Sequence, residues 1–459
     1  MLRRRIGLLQ AVALNMGMMV GVGPFITIPD FLKTLGGPHA MIGWVIGALV
    51  AVADGMVWSE LAAAFPGSGG TYHYYDAVYR GSLLGRSLKF LFIWQFLFSG
   101  PLELASGAIG IAQYAGFLYE PLKEIIATIP LPWGSDWTIT RGKLLAVAAV
   151  AFIVLLAYRK IEHAGRLMIL LWAGMLVTVL TVIVSGLTRF NPAQVFTFPE
   201  GAFTLDGKFA FGLGAALAIA MYDYLGYYQV CYLGDEVANP ARTLPLAILI
   251  SAPAVALIYL TMNISMLGVL PFDRAMSSQH IASDFMLERF GPVAAGVLTL
   301  LILWTAFASL FAGLLSYSRV PYAAARAGHF FRPLAATHPR DDFPHRSLLL
   351  VGAISAAACL FDLITVIEAL LTSRILIQFV AQIATVFYIR TRSDLKSQLS
   401  YRMWLFPLPA LIALAGWLYV FAAAKPITIL YGLGSMALGL VVFGLWDRSA
   451  RITAPSQDS

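Results

Sequence analysis

Two stretches of the chain, Thr243 to Phe272 and Phe290 to Ser318, contain no Asp, Glu, Lys or Arg. About 20 consecutive apolar residues suffice for a helix to cross a hydrocarbon layer of roughly 30 Å. Inside that layer every backbone N–H and C=O needs a partner, so only helices and closed barrels can span it. Barrel strands would read as alternating segments of about ten residues, and these long runs do not alternate. Composition points the same way: 59% of the residues are hydrophobic and 12% charged, against roughly 25% charged in a soluble domain. The sequence predicts an all-α membrane protein forming a single transmembrane domain.

Hydropathy predicts about twelve helices, near 7–34, 39–65, 83–119, 142–158, 163–187, 208–236, 244–270, 288–318, 346–361, 363–390, 403–422 and 425–447. With an even count both termini share one side, and the cations divide accordingly. Arg3, Arg4, Arg5, Arg80, Arg86, Lys89, Arg159, Lys160, Arg166, Arg242, Arg319 and Arg326 fall on the terminal side, with further arginines and lysines in the later loops and at the carboxyl end. Only Lys33, Lys123, Arg141, Lys143, Arg189, Lys208, Arg274, Arg289 and Lys425 fall on the other. The positive-inside rule then predicts cytoplasmic termini in the cell's inner membrane. The net charge of +7 is read as this topology signal and not as a nucleic-acid surface, because the cations are dispersed over loops. Met1 to Arg5 and the apolar stretch after it are read as a retained first span, since no small-residue cleavage site follows. Cys231 and Cys359 are too few for a disulfide framework or a metal cluster.

Gly21-Val22-Gly23-Pro24 interrupts the first span with residues that each oppose helix: glycine loses backbone entropy, and proline removes a donor and restricts its predecessor. Opened backbone is tolerated at membrane depth only where protein or a wet cavity satisfies it. Met221-Tyr222-Asp223-Tyr224-Leu225-Gly226-Tyr227 interrupts the sixth span with an acid and a glycine. Paired interruptions at corresponding positions point to the midplane site of a secondary transporter. The amides following Gly23 suit a carboxylate, and the carbonyls at Met19, Tyr222 and Leu225 suit an ammonium. Together they would hold the backbone of an α-amino acid.

At these residues the chain resembles the amino acid, polyamine and organocation transporter superfamily. The likeness extends over nearly the whole length. It is carried by Gly21-Val22-Gly23, by Trp58-Ser59-Glu60-Leu61 with Phe65-Pro66-Gly67-Ser68-Gly69-Gly70-Thr71-Tyr72, by Tyr224-Leu225-Gly226 running to Leu244-Pro245, and by Ser318-Arg319 through Gly328. The resemblance implies a LeuT-like fold of two inverted five-helix repeats, 1–187 and 208–390, plus two additional helices in 403–447, with helices 1 and 6 broken. It implies alternating access, with Gly21, Val22 and Gly23 holding the substrate carboxylate and Met19, Tyr222 and Leu225 its amine. Tyr222 matches the aromatic that closes over substrate. Two departures matter. Met175 stands where some proton-coupled members carry a lysine in the fifth helix, which puts proton coupling through that lysine in question and leaves H+ or Na+ as the possible coupling ion. Pro24 replaces a usual aliphatic residue.

Asp54, Glu60, Glu103, Asp223, Glu368 and Arg374 fall within or near apolar spans, where an ionised group costs about 2.5–3.5 kcal/mol and needs compensation. Either Asp223 or Glu103 could partner Arg374, as a structural clamp or a charge switch. An unpaired Glu103 would favour a cationic substrate, and Arg374 would cancel that preference or attract an anion. Glu60 reads as a structural residue ending the second helix. The leading reading is an amino acid transporter, exchanger or ion-coupled importer, with a polyamine or cationic amino acid carrier as the alternative. A channel and a membrane-embedded enzyme are more remote. The seven histidines are scattered, no Gly-Lys-Ser/Thr loop is present, and neither a cofactor, a metal nor a partner subunit is implied.

Overall fold

The computed structural model describes residues 6–130, 136–158 and 161–453. Arg3, Arg4, Arg5, Arg159 and Lys160, which contribute to the charge asymmetry, lie outside it. Nineteen helices follow in order among the described residues: α1 Leu8–Met19, α2 Gly23–Leu35, α3 Ile42–Ala64, α4 Thr71–Val78, α5 Leu83–Leu118, α6 Arg141–Ala157, α7 Ile161–Leu187, α8 Pro192–Phe196, α9 Gly207–Tyr224 and α10 Pro240–Leu267. Then come α11 Phe272–Ser277, α12 Ile281–Tyr317, α13 Arg319–Arg326, α14 His345–Ala358, α15 Leu363–Arg374, α16 Ala381–Thr391, α17 Ser393–Lys396, α18 Leu408–Ala423 and α19 Pro426–Thr453.

Seven described helices or helix runs are long and apolar enough to cross a membrane, and the α1–α2 pair, bent by 41°, makes eight if it counts as one span. Helices α14 and α18 are shorter apolar segments. Large apolar side chains such as Leu155, Val293, Leu430 and Leu445 are exposed on the outer faces. Water would penalise that surface and lipid does not. The protein is an integral, multi-span membrane protein.

Helix α9 corrects the predicted segment 208–236. It ends at Tyr224, and the chain continues through short 3-10 turns at Gln229–Tyr232 and Gly234–Glu236 before α10 begins at Pro240. Gly226, at φ +116°, supplies the backbone angle that ends the helix, and an L side chain rarely adopts it. The predicted segment 288–318 starts earlier, at Ile281, and bends at Gly291. Segment 363–390 contains a π-helical stretch at Ile375–Val380, directly after Arg374. The short helices α4, α8, α11, α13 and α17 had no counterpart in the sequence reading. Neither did an antiparallel hairpin of β1, Ile125–Pro130, with β2, Asp136–Thr140. Trp137 of β2 donates its indole N–H to the Leu360 carbonyl at 2.9 Å and stacks on Phe361.

The end of the bundle that carries α4 and α13 is closed by polar clamps. Arg319 pairs with Glu236 at 2.8 Å, both fully buried, and the Ile6 amide donates to the Glu236 carbonyl at 3.0 Å. Glu60 accepts two bonds from Arg390 and one from the Met403 amide, which fixes the end of α3 against α16 as a structural residue would. Trp58 stacks on Tyr228 with ring centroids 4.4 Å apart, and Tyr232 packs edge-on against both.

Candidate functional site

Between α1 and α2 the chain leaves helical hydrogen bonding for three residues. The Gly21 amide turns back to the Met19 carbonyl at 3.0 Å, and the Phe25 amide reaches Val22 at 2.9 Å. Pro24 occupies the first turn of α2, where its missing N–H costs nothing, so the proline helps start the second helix instead of distorting it. The carbonyl end of α1 and the amide end of α2 thus meet across a short gap, presenting partial charges of opposite sign.

The end of α9 abuts this gap. A methyl group at Gly226 would lie 2.8 Å from Met18 Cγ and 3.0 Å from the Met19 nitrogen, so only glycine allows this approach. A methyl at Gly23 would lie 2.3 Å from Asp223 Oδ1. Asp223 is buried; its Oδ2 accepts from the Thr27 hydroxyl at 2.6 Å, and its Oδ1 has no partner among the described residues. Gly21 faces Ser309 of α12, whose hydroxyl donates to the Met18 carbonyl at 3.1 Å. Val22 packs into the notch left by Gly110 of α5.

The carbonyls expected to hold an ammonium are not equally open. Met19 accepts from the Tyr259 hydroxyl of α10, and Tyr222 accepts from the Leu225 amide at 3.2 Å. The Leu225 carbonyl has no bond among the described residues. Ser106 donates to the Glu103 carbonyl at 2.7 Å, so the Tyr222 hydroxyl, 2.7 Å from Ser106 Oγ, is the donor in that second contact. The bond holds the Tyr222 ring between α5 and the gap.

Arg374 takes Glu103 as its partner, and Asp223 is excluded from that role. Its Nη1 donates to Glu103 Oε2, which also accepts from the Tyr317 hydroxyl, and to the Tyr228 hydroxyl at 3.3 Å. The guanidinium carbon lies 5.6 Å from the centre of the Tyr317 ring, within cation–π range. Arg374 is wholly buried, and its Nε and Nη2 have no partner among the described residues. Helices α5, α12 and α15 and the segment after α9 are therefore tied at one charged point.

Sequence reading missed Thr27, Tyr259 and Ser309, which now hold Asp223, Met19 and Met18. Asp54 of α3 is also buried and accepts from the Tyr227 hydroxyl at 2.5 Å. Met175 is fully buried in α7 and brings no charge. A cavity of about 210 Å³ lies among α2, α9, α15, α18 and α19, with a largely apolar lining that includes Ile26, Ile219, Leu371 and Ile375. Thr27 forms part of its wall, which places Asp223 directly behind it.

A sequence model of the amino acid permease family matches residues 6–431, which takes in every residue of this site. The chain belongs to the amino acid permease family. The permease is 26% identical to the serine/threonine exchanger SteT of Bacillus subtilis over 461 residues, covering 98% of each chain. It is 29% identical to an uncharacterized transporter of Mycobacterium tuberculosis, covering 78% of the permease and 73% of that relative. It is 25% identical to the human large neutral amino acids transporter small subunit 2, covering 97% of the permease and 80% of the relative.

Proposed function

We propose that the protein is a secondary transporter that carries amino acids across the cytoplasmic membrane by alternating access, as an exchanger or as an importer coupled to H+ or Na+. The observation that carries this reading is the contact of two helix interruptions: Gly226 after α9 lies against Met18 and Met19 at the end of α1. Two interrupted helices facing each other offer both amides and carbonyls to a zwitterion. In this reading the substrate carboxylate takes the amides of Gly21, Val22 and Gly23, and its ammonium takes the carbonyls of Met19, Tyr222 and Leu225. Tyr222 closes over the solute, while Glu103, Asp223 and Arg374 set the charge of the pocket. Binding at Met19 would replace the Tyr259 hydroxyl, so that bond would open and reform in each cycle.

The eight long spans together with α6, α9, α14 and α18 make the twelve of a LeuT-like arrangement, with 1–187 and 208–390 as inverted repeats and 403–447 added. The bias of cations toward one set of loops supports cytoplasmic termini. Met175 in place of a cation favours exchange over proton coupling through α7. The reading calls for no cofactor and no partner subunit.

The test is counterflow in proteoliposomes preloaded with single amino acids and offered labelled ones. Saturable uptake that depends on the trapped amino acid is expected. Flux that never saturates would point to a channel, and conversion of the solute to an enzyme. Imposed H+ and Na+ gradients distinguish coupled import from exchange.

A further inference from the structure

The ionisable groups buried around the interruption do not pair off evenly. Glu103 is paired with Arg374, so those two groups cancel. Asp223 has no such partner: among the described residues no Lys, Arg or His lies within ion-pair distance of it, and its nearest donor is the neutral Thr27 hydroxyl. It is 3% exposed, and its free oxygen Oδ1 lies against Gly23 in the first turn of α2. A buried carboxylate oxygen without a donor is costly at membrane depth, and such a group marks a ligand or ion path.

This inference rests on the substrate reading above. A zwitterion in that site would place its own carboxylate at the amides of Val22 and Gly23, beside Asp223. With Asp223 ionised, the pocket would then hold two carboxylates and one ammonium once Glu103 and Arg374 have cancelled. A solute carrying a second ammonium restores neutrality, and Oδ1 is the acceptor left for it. We propose that Asp223 is a specificity-determining residue that accepts the side-chain ammonium of the substrate, so that the transporter prefers cationic amino acids to neutral ones of similar size. Thr27 positions the carboxylate by holding Oδ2, which leaves Oδ1 directed at the interruption. Glu103 does not make this selection, because Arg374 has already neutralised it.

The experiment compares labelled L-lysine and L-leucine in the counterflow assay, with wild type and Asp223→Asn. Wild type is expected to show a KM for lysine about tenfold or more below that for leucine, the scale of one hydrogen bond to a charged group. In Asp223→Asn the lysine KM should rise by about tenfold and the leucine KM should fall, since the charged contact to lysine is lost and the charge that leucine leaves unbalanced is removed, so the preference between the two shrinks or reverses. A wild type that carries leucine but not lysine, or a variant that raises both KM values equally, would overturn the proposal while leaving amino acid transport intact. If Asp223→Asn fails to accumulate, the wild-type ratio decides alone. A wild type that exchanges no amino acid removes the substrate reading itself, and this inference with it.

Discussion

The carboxylate of Glu103 and the guanidinium of Arg374 meet in the interior although 271 positions separate them in the chain. The pair joins α5 to α15, and Tyr317 and Tyr228 bring α12 and the segment after α9 to the same point. Desolvating two ions offsets much of their attraction, so the pair confers less net stability than its contact suggests, whereas a lone survivor is strongly penalised.

Replacing one partner should therefore do more harm than replacing both. Glu103→Leu and Arg374→Met are each expected to lower stability by about 3–5 kcal/mol, and the double variant should recover most of that loss. Thermal unfolding of the detergent-solubilised protein measures it. Additive losses in the double variant would show that the two side chains do not act as a unit.

Glycine positions near the interruption should respond in opposite directions. Gly226→Ala puts a methyl 2.8 Å from Met18 Cγ at a φ of +116°, and is expected to cost about 1–3 kcal/mol and to abolish exchange. Gly17→Ala, within α1 and with open space around it, should stabilise by about 0.5–1 kcal/mol. The same unfolding measurement, paired with counterflow, checks both. Equal effects would mean that the approach of α9 to α1 carries no special constraint.

The Arg319–Glu236 pair should govern access from the α4–α13 end. Cys231 is buried between Tyr228 and Glu236 in the chain, among the side chains that close this end. In a Cys359→Ser background, Glu236→Gln is expected to raise the rate of Cys231 labelling by a membrane-permeant maleimide by about tenfold, because the clamp loses a charged hydrogen bond. Unchanged labelling would assign the closure to the aromatic stack alone.

Acid should weaken the same end through His329. Its Nε2 is 3.3 Å from the Lys89 ammonium and must accept, so its Nδ1–H donates to the Tyr72 hydroxyl 2.5 Å away, and the ring is neutral. Burial first, and then Lys89, hold its pKa below the usual value of 6.5. The unfolded chain then takes up the proton before the folded one. The stabilising contribution is complete above about pH 6.5 and is lost as pH falls toward the folded-state value. His329→Gln should flatten the stability profile between pH 7 and 5, though only in part, because burial also lowers His73. Asp76 acts at lower pH: burial would raise its carboxyl, but the Lys89 ammonium bonded to it holds it below the usual carboxylate range.

How much of this was readable from sequence follows from the range of the forces involved. The seven or eight long spans were legible because burial in lipid acts on every residue of a run. The first interruption was legible because Gly21, Gly23 and Pro24 act through their own backbones. The second was located, but its extent was not, because the chain from Leu225 to Asn239 is held out of helix by distant groups. The Val230 amide bonds to Asn15 of α1, and the Asp235 amide to Ser68. The choice between Asp223 and Glu103 as the partner of Arg374 depends on how α5, α9 and α15 are placed around one another, which no local pattern encodes. Thr27, Tyr259 and Ser309 escaped notice for the same reason: each is an ordinary helical residue whose role comes from its neighbour across the bundle.

The β1–β2 hairpin fastens the bundle on one side only. By fastening Leu360 and Phe361 to Trp137, it ties the chain entering α15 to the segment between α5 and α6. In the alternating-access reading proposed above, those three helices would move as one frame at that end. Displacement there would fall to α2 and α9, which the Trp137 contacts do not reach, and the cavity between them and α15 would be the seam along which they part.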